Sequence, residues 1–561
     1  MNNLSNTNNE KSPRLCWGAH KRPILIIILI AILAFTNSLF NDFVGDDYSL
    51  LINNTFYESW KNFPRIFDKS YLSPGNYAYA PREKSNSGSA AYRPVLSTTY
   101  FIDHWLWKKN AFGYHLTNLI LHIANTLLAY FILFVISKNK SISLFGAILF
   151  CVHPAKVEAV CAIGYRADCL AAFFALLSFL LYIQNSFSGT SSCKNKIRLS
   201  LLFYFLAVFS KEAAVVLPFT LVAYDVYFRK CRLPDLLSHF KNHYLGYLII
   251  ATFYLFVYLK VFPNTTLDKV GLLGGTITNH ALTILRIFYL QIYSLAIPFH
   301  VTAVPPQYTP PLLPWGNYQM WLTIIIPFFY VFMTGRMYFY SKAISFLMLW
   351  FLIFYIPVSN IIPLANPLSH RFLYLPSLGF LGAAAMLIHD FCRKGRWSRY
   401  RHLIVKSLKW GIITFCLFLT ILLNSFWKNN FKIVRLMVKN YPSHMKSCEL
   451  LSAIYFQSGL CPEAQKVLHR CLCLNPPSAK VHYMLGACSM DKFEFAKLHF
   501  HKAIALVPSY VAAYEKLGEL FLDNGDYENA FSCFSKSYLL QNKNATVEEI
   551  ANAYAQWKQE K

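Results

Sequence analysis

Charge is what this sequence has least of. Asp, Glu, Lys and Arg make up 14% of its 561 residues, against about a quarter in an ordinary soluble domain. That excludes a conventional water-soluble protein. Acidic residues are the scarcer sign, 27 against 53 basic, for a formal net charge of +26. The basic residues fall in short runs between apolar stretches, as cytoplasmic loops do, so the surplus does not point to nucleic acid. The 14 Cys include no CxxC pair matched by a second pair or by suitably spaced His, so no zinc site is expected. Cys151, Cys161 and Cys416 lie inside apolar stretches, where a free thiol acts as a small hydrophobe. No small-x-small site follows the first apolar stretch, despite the basic flank Lys11, Arg14, Lys21 and Arg22, so that stretch reads as retained rather than cleaved. Nor is there the doubled arrangement of interrupted spans that would suggest a transporter.

What the chain has instead is apolar and aromatic surface, 55% and 17% of its residues. Stretches suited to crossing a bilayer occur near 23–40, 114–136, 142–160, 168–185, 199–210, 213–228, 244–262, 319–335, 343–358, 376–391 and 408–426. The basic clusters Lys138/Lys140, Lys194/Lys196/Arg198, Arg229/Lys230/Arg232, Arg336/Lys342 and Arg393 to Arg401 all fall on the cytoplasmic side of an eleven-span arrangement. That arrangement requires 281–300 to be re-entrant or interfacial. It puts the amino terminus inside and the carboxyl terminus outside. The expected organisation is a cytoplasmic tail over 1–22, a multi-spanning domain over 23–430 with a first extracytoplasmic loop at 41–112, helical repeats over 441–545 and a tail over 546–561.

The repeats show in register. Leu451-Ser452, Leu485-Gly486 and Leu517-Gly518 recur at steps of about 34 and 32 residues, each followed by small and aromatic residues such as Ala496, Phe500, Ala530 and Phe534. This is the tetratricopeptide pattern of paired helices with small residues at the crossings. On the outer face of the membrane part the same topology gathers the Asp46-Asp47 loop, the His153-to-Asp168 connection, Lys211-Glu212, the 263–318 region and Ser369-His370-Arg371. Ionisable residues beside a span are costly unless paired or lining a cavity.

Seven short segments carry a family resemblance: Phe43-Val44-Gly45-Asp46-Asp47, Tyr92-Arg93-Pro94-Val95-Leu96, Gly113 to His122, His153 to Val160, Tyr165-Arg166-Ala167-Asp168, Ser210-Lys211-Glu212 and Arg371 to Phe380. In order, and followed by tetratricopeptide repeats, they resemble the transmembrane and tetratricopeptide-repeat O-mannosyltransferase-like family, of the GT-C class of polyprenyl-phosphate-dependent glycosyltransferases. The resemblance implies an all-α, GT-C-type membrane bundle of about eleven spans with a carboxyl-terminal tetratricopeptide α-solenoid. It implies a polyprenyl-phosphate-linked sugar, mannose by analogy, and a protein acceptor, in a bacterial inner membrane or an endoplasmic reticulum membrane with the repeats outside. Two departures stand out. His370 occupies the position where the family usually has Glu, and three repeats are readable where animal members have many more.

Such a transfer needs a base for the acceptor hydroxyl, cations for the departing phosphate and a dry cavity. A carboxylate at the membrane lip suits the first; Asp46 and Asp47 are the candidates, with Asp46 preferred, against the plainer reading that they cap a helix end. The pair leaves a divalent cation open, and no metal ligand set is assigned. Arg93 and Arg371 suit phosphate through their planar donors, with Lys211 adding a point charge; the alternative is that they reach for lipid headgroups. Arg166 is expected to pair with Asp168. His115, Glu212 and His370 are cavity-lining candidates, and His122, seven residues beyond His115, shares its helix face. The competing class is a non-catalytic membrane scaffold that recruits partners through its repeats.

Overall fold

The computed structural model describes residues 17–67, 92–184, 191–261, 271–302, 310, 312–364, 366–393, 398–474 and 478–541. The expected tail at 546–561, most of the tail at 1–22, the middle of the 41–112 loop and the centre of the Arg393–Arg401 cluster lie outside these residues. Every regular element among the described residues is helical, and the chain divides into two compact units, Met1–Asn430 and Phe431–Lys561.

The first unit contains α1 (Lys21–Phe35), α2 (Pro94–Trp107), α3 (Ala111–Ser137), α4 (Lys140–Val152), α5 (Val157–Cys161), α6 (Arg166–Ile183), α7 (Ser191–Val208) and α8 (Leu217–Phe228). There follow α9 (Leu233–His243), α10 (Leu245–Phe256), α11 (Ile277–Ala296), α12 (Tyr318–Tyr340), α13 (Lys342–Tyr355), α14 (Pro376–Arg393) and α15 (Ser398–Phe426). Their boundaries are written in the sequence. Asn110 and Asn139 cap α3 and α4 by accepting from Phe112 N at 3.1 Å and Ser141 N at 2.9 Å. Pro94 opens α2 at a position where its missing N–H costs nothing. Pro154 ends α4, and the chain turns by 55° between Lys140–Val152 and Pro154–Cys161.

Among the described residues five helices are long and apolar enough to cross a membrane: Lys21–Phe40, Ala111–Ser137, Ile163–Ile183, Tyr318–Tyr340 and Lys406–Phe426. The bent pair at 140–161 makes a sixth, and Leu245–Lys260 and Lys342–Val358 are shorter apolar helices. The remaining stretches expected to span, 199–210, 213–228 and 376–391, fall on α7, α8 and α14. The 20-residue α11 is not among the five.

Buried amides and hydroxyls tie these helices where apolar packing alone gives little directional preference. Asn118 donates to Val160 O at 3.0 Å, Asn125 to Cys169 O at 2.8 Å, and Asn424 to Ala34 O at 2.8 Å. His122 is held between Tyr374 OH at 2.7 Å and Cys151 O at 3.1 Å. Gly379 lets α14 lie against α13; a Cβ there would come within 2.2 Å of Leu347 O.

The second unit, from Phe431 on, is a run of short helices: α16 (Asn430–Asn440, whose first residue closes the first unit), α17 (Met445–Gln457), α18 (Cys461–Leu474), α19 (Ala479–Ala487), α20 (Phe493–Leu506), α21 (Val511–Asp523) and α22 (Tyr527–Gln541). α17 packs on α18, α19 on α20 and α21 on α22. Gly486 lies against the Phe500 ring and Gly518 against Phe534, each with ring atoms from 2.8 Å of where a Cβ would stand. The repeated Gly-to-Phe crossing is the physical content of the 32-residue step.

Candidate functional site

Four of the five segments expected to face outward share one neighbourhood, and ion pairs hold them together. The first loop enters through Gly45, whose φ of +59° suits a residue without Cβ. Its N–H donates to Asn430 Oδ1 at 2.7 Å. The two acidic residues that follow have different environments. Asp47 is 1% exposed and accepts from Val44 N at 3.0 Å and Gly164 N at 2.7 Å. Its carboxylate thereby pins the loop to the turn before α6. Burial pushes its pKa up to about 7, against the pull of those backbone donors. Asp46 is exposed on the loop's surface, yet crowded enough that desolvation raises its carboxyl, with the Arg371 cation opposing the rise. The pair therefore provides one open carboxylate and one locked one.

Arg371 donates from Nη1 to Glu158 Oε1 at 2.7 Å and from its backbone N to Glu158 Oε2 at 3.0 Å. Its guanidinium lies over the Tyr165 ring, 3.8 Å from the centroid. Ser369 adds a third bond to Glu158, at 2.5 Å. Lys211 Nζ reaches Asp168 Oδ1 at 2.5 Å and stands 5.2 Å from the Phe372 ring centroid. Burial lowers the Lys211 pKa, and Asp168 opposes it. Arg93 clasps Glu212 through Nε at 3.2 Å and Nη2 at 2.8 Å. Burial pushes Glu212 up, but Arg93 and Lys211 override it and hold its carboxyl down at about 2. These pairs interact in turn: Lys211 senses Arg93 and Arg371, and Arg371 senses Asp168 and Asp46. Each of the three expected phosphate-binding cations thus already has a carboxylate partner.

The other expected residues fall around this cluster. His370 is buried, and its Nδ1 has no hydrogen-bond partner among the described residues; burial lowers its pKa, with Glu158 opposing. His115 is buried beside the Asn41–Asp42 backbone without a well-formed hydrogen bond. His153 accepts from Ala155 N and lies 3.2 Å from Leu295 O, a helix-end role. Arg166 does not pair with Asp168. It reaches Asp103 Oδ2 at 2.5 Å, Asn118 Oδ1 at 2.6 Å, Thr99 Oγ1 at 3.0 Å and Tyr114 O at 3.0 Å. Arg166 sits at the start of α6 with Asp103 below it on α2, while Asp168 turns toward Lys211. No group of three or more His, Cys, Asp or Glu among the described residues is arranged to hold a metal ion.

Glu158, Asp168 and Tyr165 also belong to the cluster, although none of them was expected as a site residue. The signal was present, since all three stand inside the quoted segments His153–Val160 and Tyr165–Asp168. A groove of about 770 Å³ opens beside the loop, lined by Asn41, Phe43, Tyr48, Trp107, Lys108 and Phe112 among others. Asp46, Arg93, Lys211 and Arg371 do not line it, so it is separate from the ion-pair cluster.

The class defined by this geometry is a polytopic, all-helical protein with a chain of ion pairs against an open carboxylate, followed by a unit of paired helices. Relatives carry the resemblance further. The chain is 25% identical over 504 residues to a protein O-mannosyl-transferase of Caenorhabditis elegans, F38B6.6, covering 87% of this chain and 63% of that protein. It is 22% identical over 590 residues to protein O-mannosyl-transferase Tmtc3 of Drosophila melanogaster, 92% of this chain and 58% of that one. The human protein O-mannosyl-transferase TMTC1 is 31% identical over 207 residues, 35% of this chain and 22% of the human one. The chain therefore spans less than two thirds of the length of these relatives. No family model matches it. The similarity to proteins named O-mannosyl-transferases holds along most of the chain.

Proposed function

We propose that this protein is a membrane glycosyltransferase that moves mannose from a polyprenyl-phosphate donor to a hydroxyl of a protein acceptor on the extracytoplasmic side. The observation that carries the proposal is the asymmetry of the acidic pair. Asp47 is taken up in holding the loop, which leaves Asp46 exposed, within electrostatic reach of Arg371 and Tyr165. In the proposed step Asp46 takes the proton of a Ser or Thr hydroxyl as that oxygen bonds to the anomeric carbon. The bond from that carbon to the phosphate oxygen breaks, and the phosphate leaves with the electron pair. A base in that position contributes about 10²–10⁴-fold. The relatives' names support a glycosyltransferase acting on protein. The paired helices of the second unit, read as a tetratricopeptide solenoid, would present the acceptor on a concave surface.

One observation favours the scaffold reading. Arg93, Lys211 and Arg371 are each neutralised by a carboxylate, which suits a structural clasp as well as a phosphate site. Incubation of membranes containing the protein with polyprenyl-phosphate [³H]mannose and an acceptor protein separates the two. Label reaching the acceptor in wild type but not in Asp46→Asn supports transfer; no label above protein-free membranes supports the scaffold.

A further inference from the structure

Arg286 lies in the middle of α11 and is 7% exposed. Its Nε and Nη1 are buried without a hydrogen-bond partner among the described residues. The contrast with the cluster is direct: Arg93, Arg166, Lys211 and Arg371 each have a carboxylate at 2.5–2.8 Å. For Arg286 the ionisable neighbour is Tyr289, one turn along the same face. Its chain neighbours Ile287 and Phe288 pack in apolar and aromatic company. Ile287 packs with Leu273, Leu290 and Leu368. The Phe288 ring meets Tyr330 on α12 and Tyr355 on α13, at centroid distances of 5.9 and 5.1 Å.

A guanidinium largely removed from water without an anion is among the costliest arrangements a fold can hold, and among the described residues no carboxylate pairs with Arg286 to offset the cost. Beside a span-length helix, such a residue marks a ligand site rather than a packing device. The position is consistent with one. Ile287 and Leu368 belong to one buried apolar cluster, and Leu368 stands two residues before His370 and three before Arg371, so α11 borders the segment that carries the ion-pair cluster. A guanidinium presents its donors in a fixed fork that matches two phosphate oxygens.

We infer that Arg286 binds the phosphate group of a membrane lipid, supplying the unpaired cation that the carboxylate-bound Arg93, Lys211 and Arg371 do not. That this lipid is the polyprenyl-phosphate donor rests on the proposed function; the lipid phosphate itself does not. The site then has two parts: a neutralised cluster beside Asp46, and Arg286, a cation without a carboxylate partner among the described residues, which meets the anion arriving from the bilayer.

The test uses the full chain in lipid nanodiscs, with retention of a short-chain polyprenyl monophosphate, the matching neutral polyprenol and phosphatidylglycerol read by native mass spectrometry. Wild type is expected to retain the monophosphate and not the polyprenol. Arg286→Gln should weaken retention at least 10-fold, and Arg286→Lys should fall between. Arg286→Met guards against misfolding: with the orphan charge gone, the lipid-depleted protein should melt at a higher temperature than wild type, and the monophosphate should no longer raise it. Parallel loss of phosphatidylglycerol would keep the lipid-phosphate site while detaching it from mannosyl transfer. Unchanged retention of both lipids in Arg286→Gln overturns the inference, as does a lower melting temperature in Arg286→Met with the monophosphate-induced rise intact. Asp46→Asn should lose transfer but keep the lipid, so failure of the transfer reading and failure of this one look different.

Discussion

The Arg166–Asp103 pair gives the sharpest quantitative prediction about how the membrane unit is held. Arg166 is fully buried and Asp103 is 2% exposed. They meet at 2.5 Å, and Arg166 also donates to Asn118, Thr99 and Tyr114 O while Thr117 donates to Asp103 at 2.8 Å. The Oδ2 contact is short but poorly aligned as a hydrogen bond, so its strength is chiefly ionic. Removing one member leaves the other as an uncompensated buried charge, at about 3–5 kcal/mol. Arg166→Met and Asp103→Leu should each destabilise by about that amount. The double variant has no stranded charge; what it leaves is the unsatisfied oxygen of Asn118, at about 1–3 kcal/mol. The sum of the singles minus the double therefore gives a coupling of at least about 3 kcal/mol. Neutral hydrogen bonds between membrane helices average only about 0.6 kcal/mol, so the two outcomes are well separated. The assay is reversible unfolding in mixed micelles, followed by Trp fluorescence. A coupling below about 0.6 kcal/mol would refute the reasoning, because the pair would then behave as two independent polar groups.

Three other outcomes follow from the same geometry. Arg371 opposes the raised pKa of Asp46, so Arg371→Gln should shift the acid limb of transfer activity to higher pH; a kcat–pH profile checks this, and a shift to lower pH contradicts it. Glu212 is held at about 2, so its stabilisation is present above its ordinary range near 4.5 and is lost as pH falls toward 2. Because its side chain is 35% exposed, screening limits the effect of Glu212→Gln to about 1 kcal/mol at neutral pH, measured as a loss of melting temperature that shrinks as pH falls below the ordinary carboxylate range and vanishes once pH passes below the held value of about 2. Gly486→Val puts carbon against the Phe500 ring and should cost about 1–3 kcal/mol, read as a lower melting temperature for the second unit.

Much of this architecture was legible in the chain. Apolar runs located the helices, and the recurrence of Leu485-Gly486 and Leu517-Gly518 located the paired-helix unit with its glycine crossings. Asp46-Asp47 and the cationic segments were visible as charges beside apolar stretches. What sequence alone does not give is pairing. Arg166 stands two residues from Asp168, but a helix sends residues two apart to different sides, so Arg166 met Asp103, 63 positions away, and Asp168 met Lys211. Glu158 and Tyr165 entered the site for the same reason, through a fold that brings 369–371 back against 158–165. The count of eleven apolar stretches against five or six span-length helices has a local cause. Several of the stretches fall on helices that are shorter or less apolar than a full span, as where the 3₁₀ turn at Glu212–Val216 separates α7 from α8.

The central claim is that the open carboxylate of Asp46 acts as the base while Asp47 holds the loop in place. It is tested most directly by single-turnover mannose transfer from polyprenyl-phosphate mannose by wild type, Asp46→Asn and Asp47→Asn in the same membranes. The account predicts a loss of about 100-fold or more in Asp46→Asn with folding and lipid binding retained, and in Asp47→Asn a smaller loss accompanied by a lower melting temperature. Transfer at the wild-type rate in Asp46→Asn would contradict it.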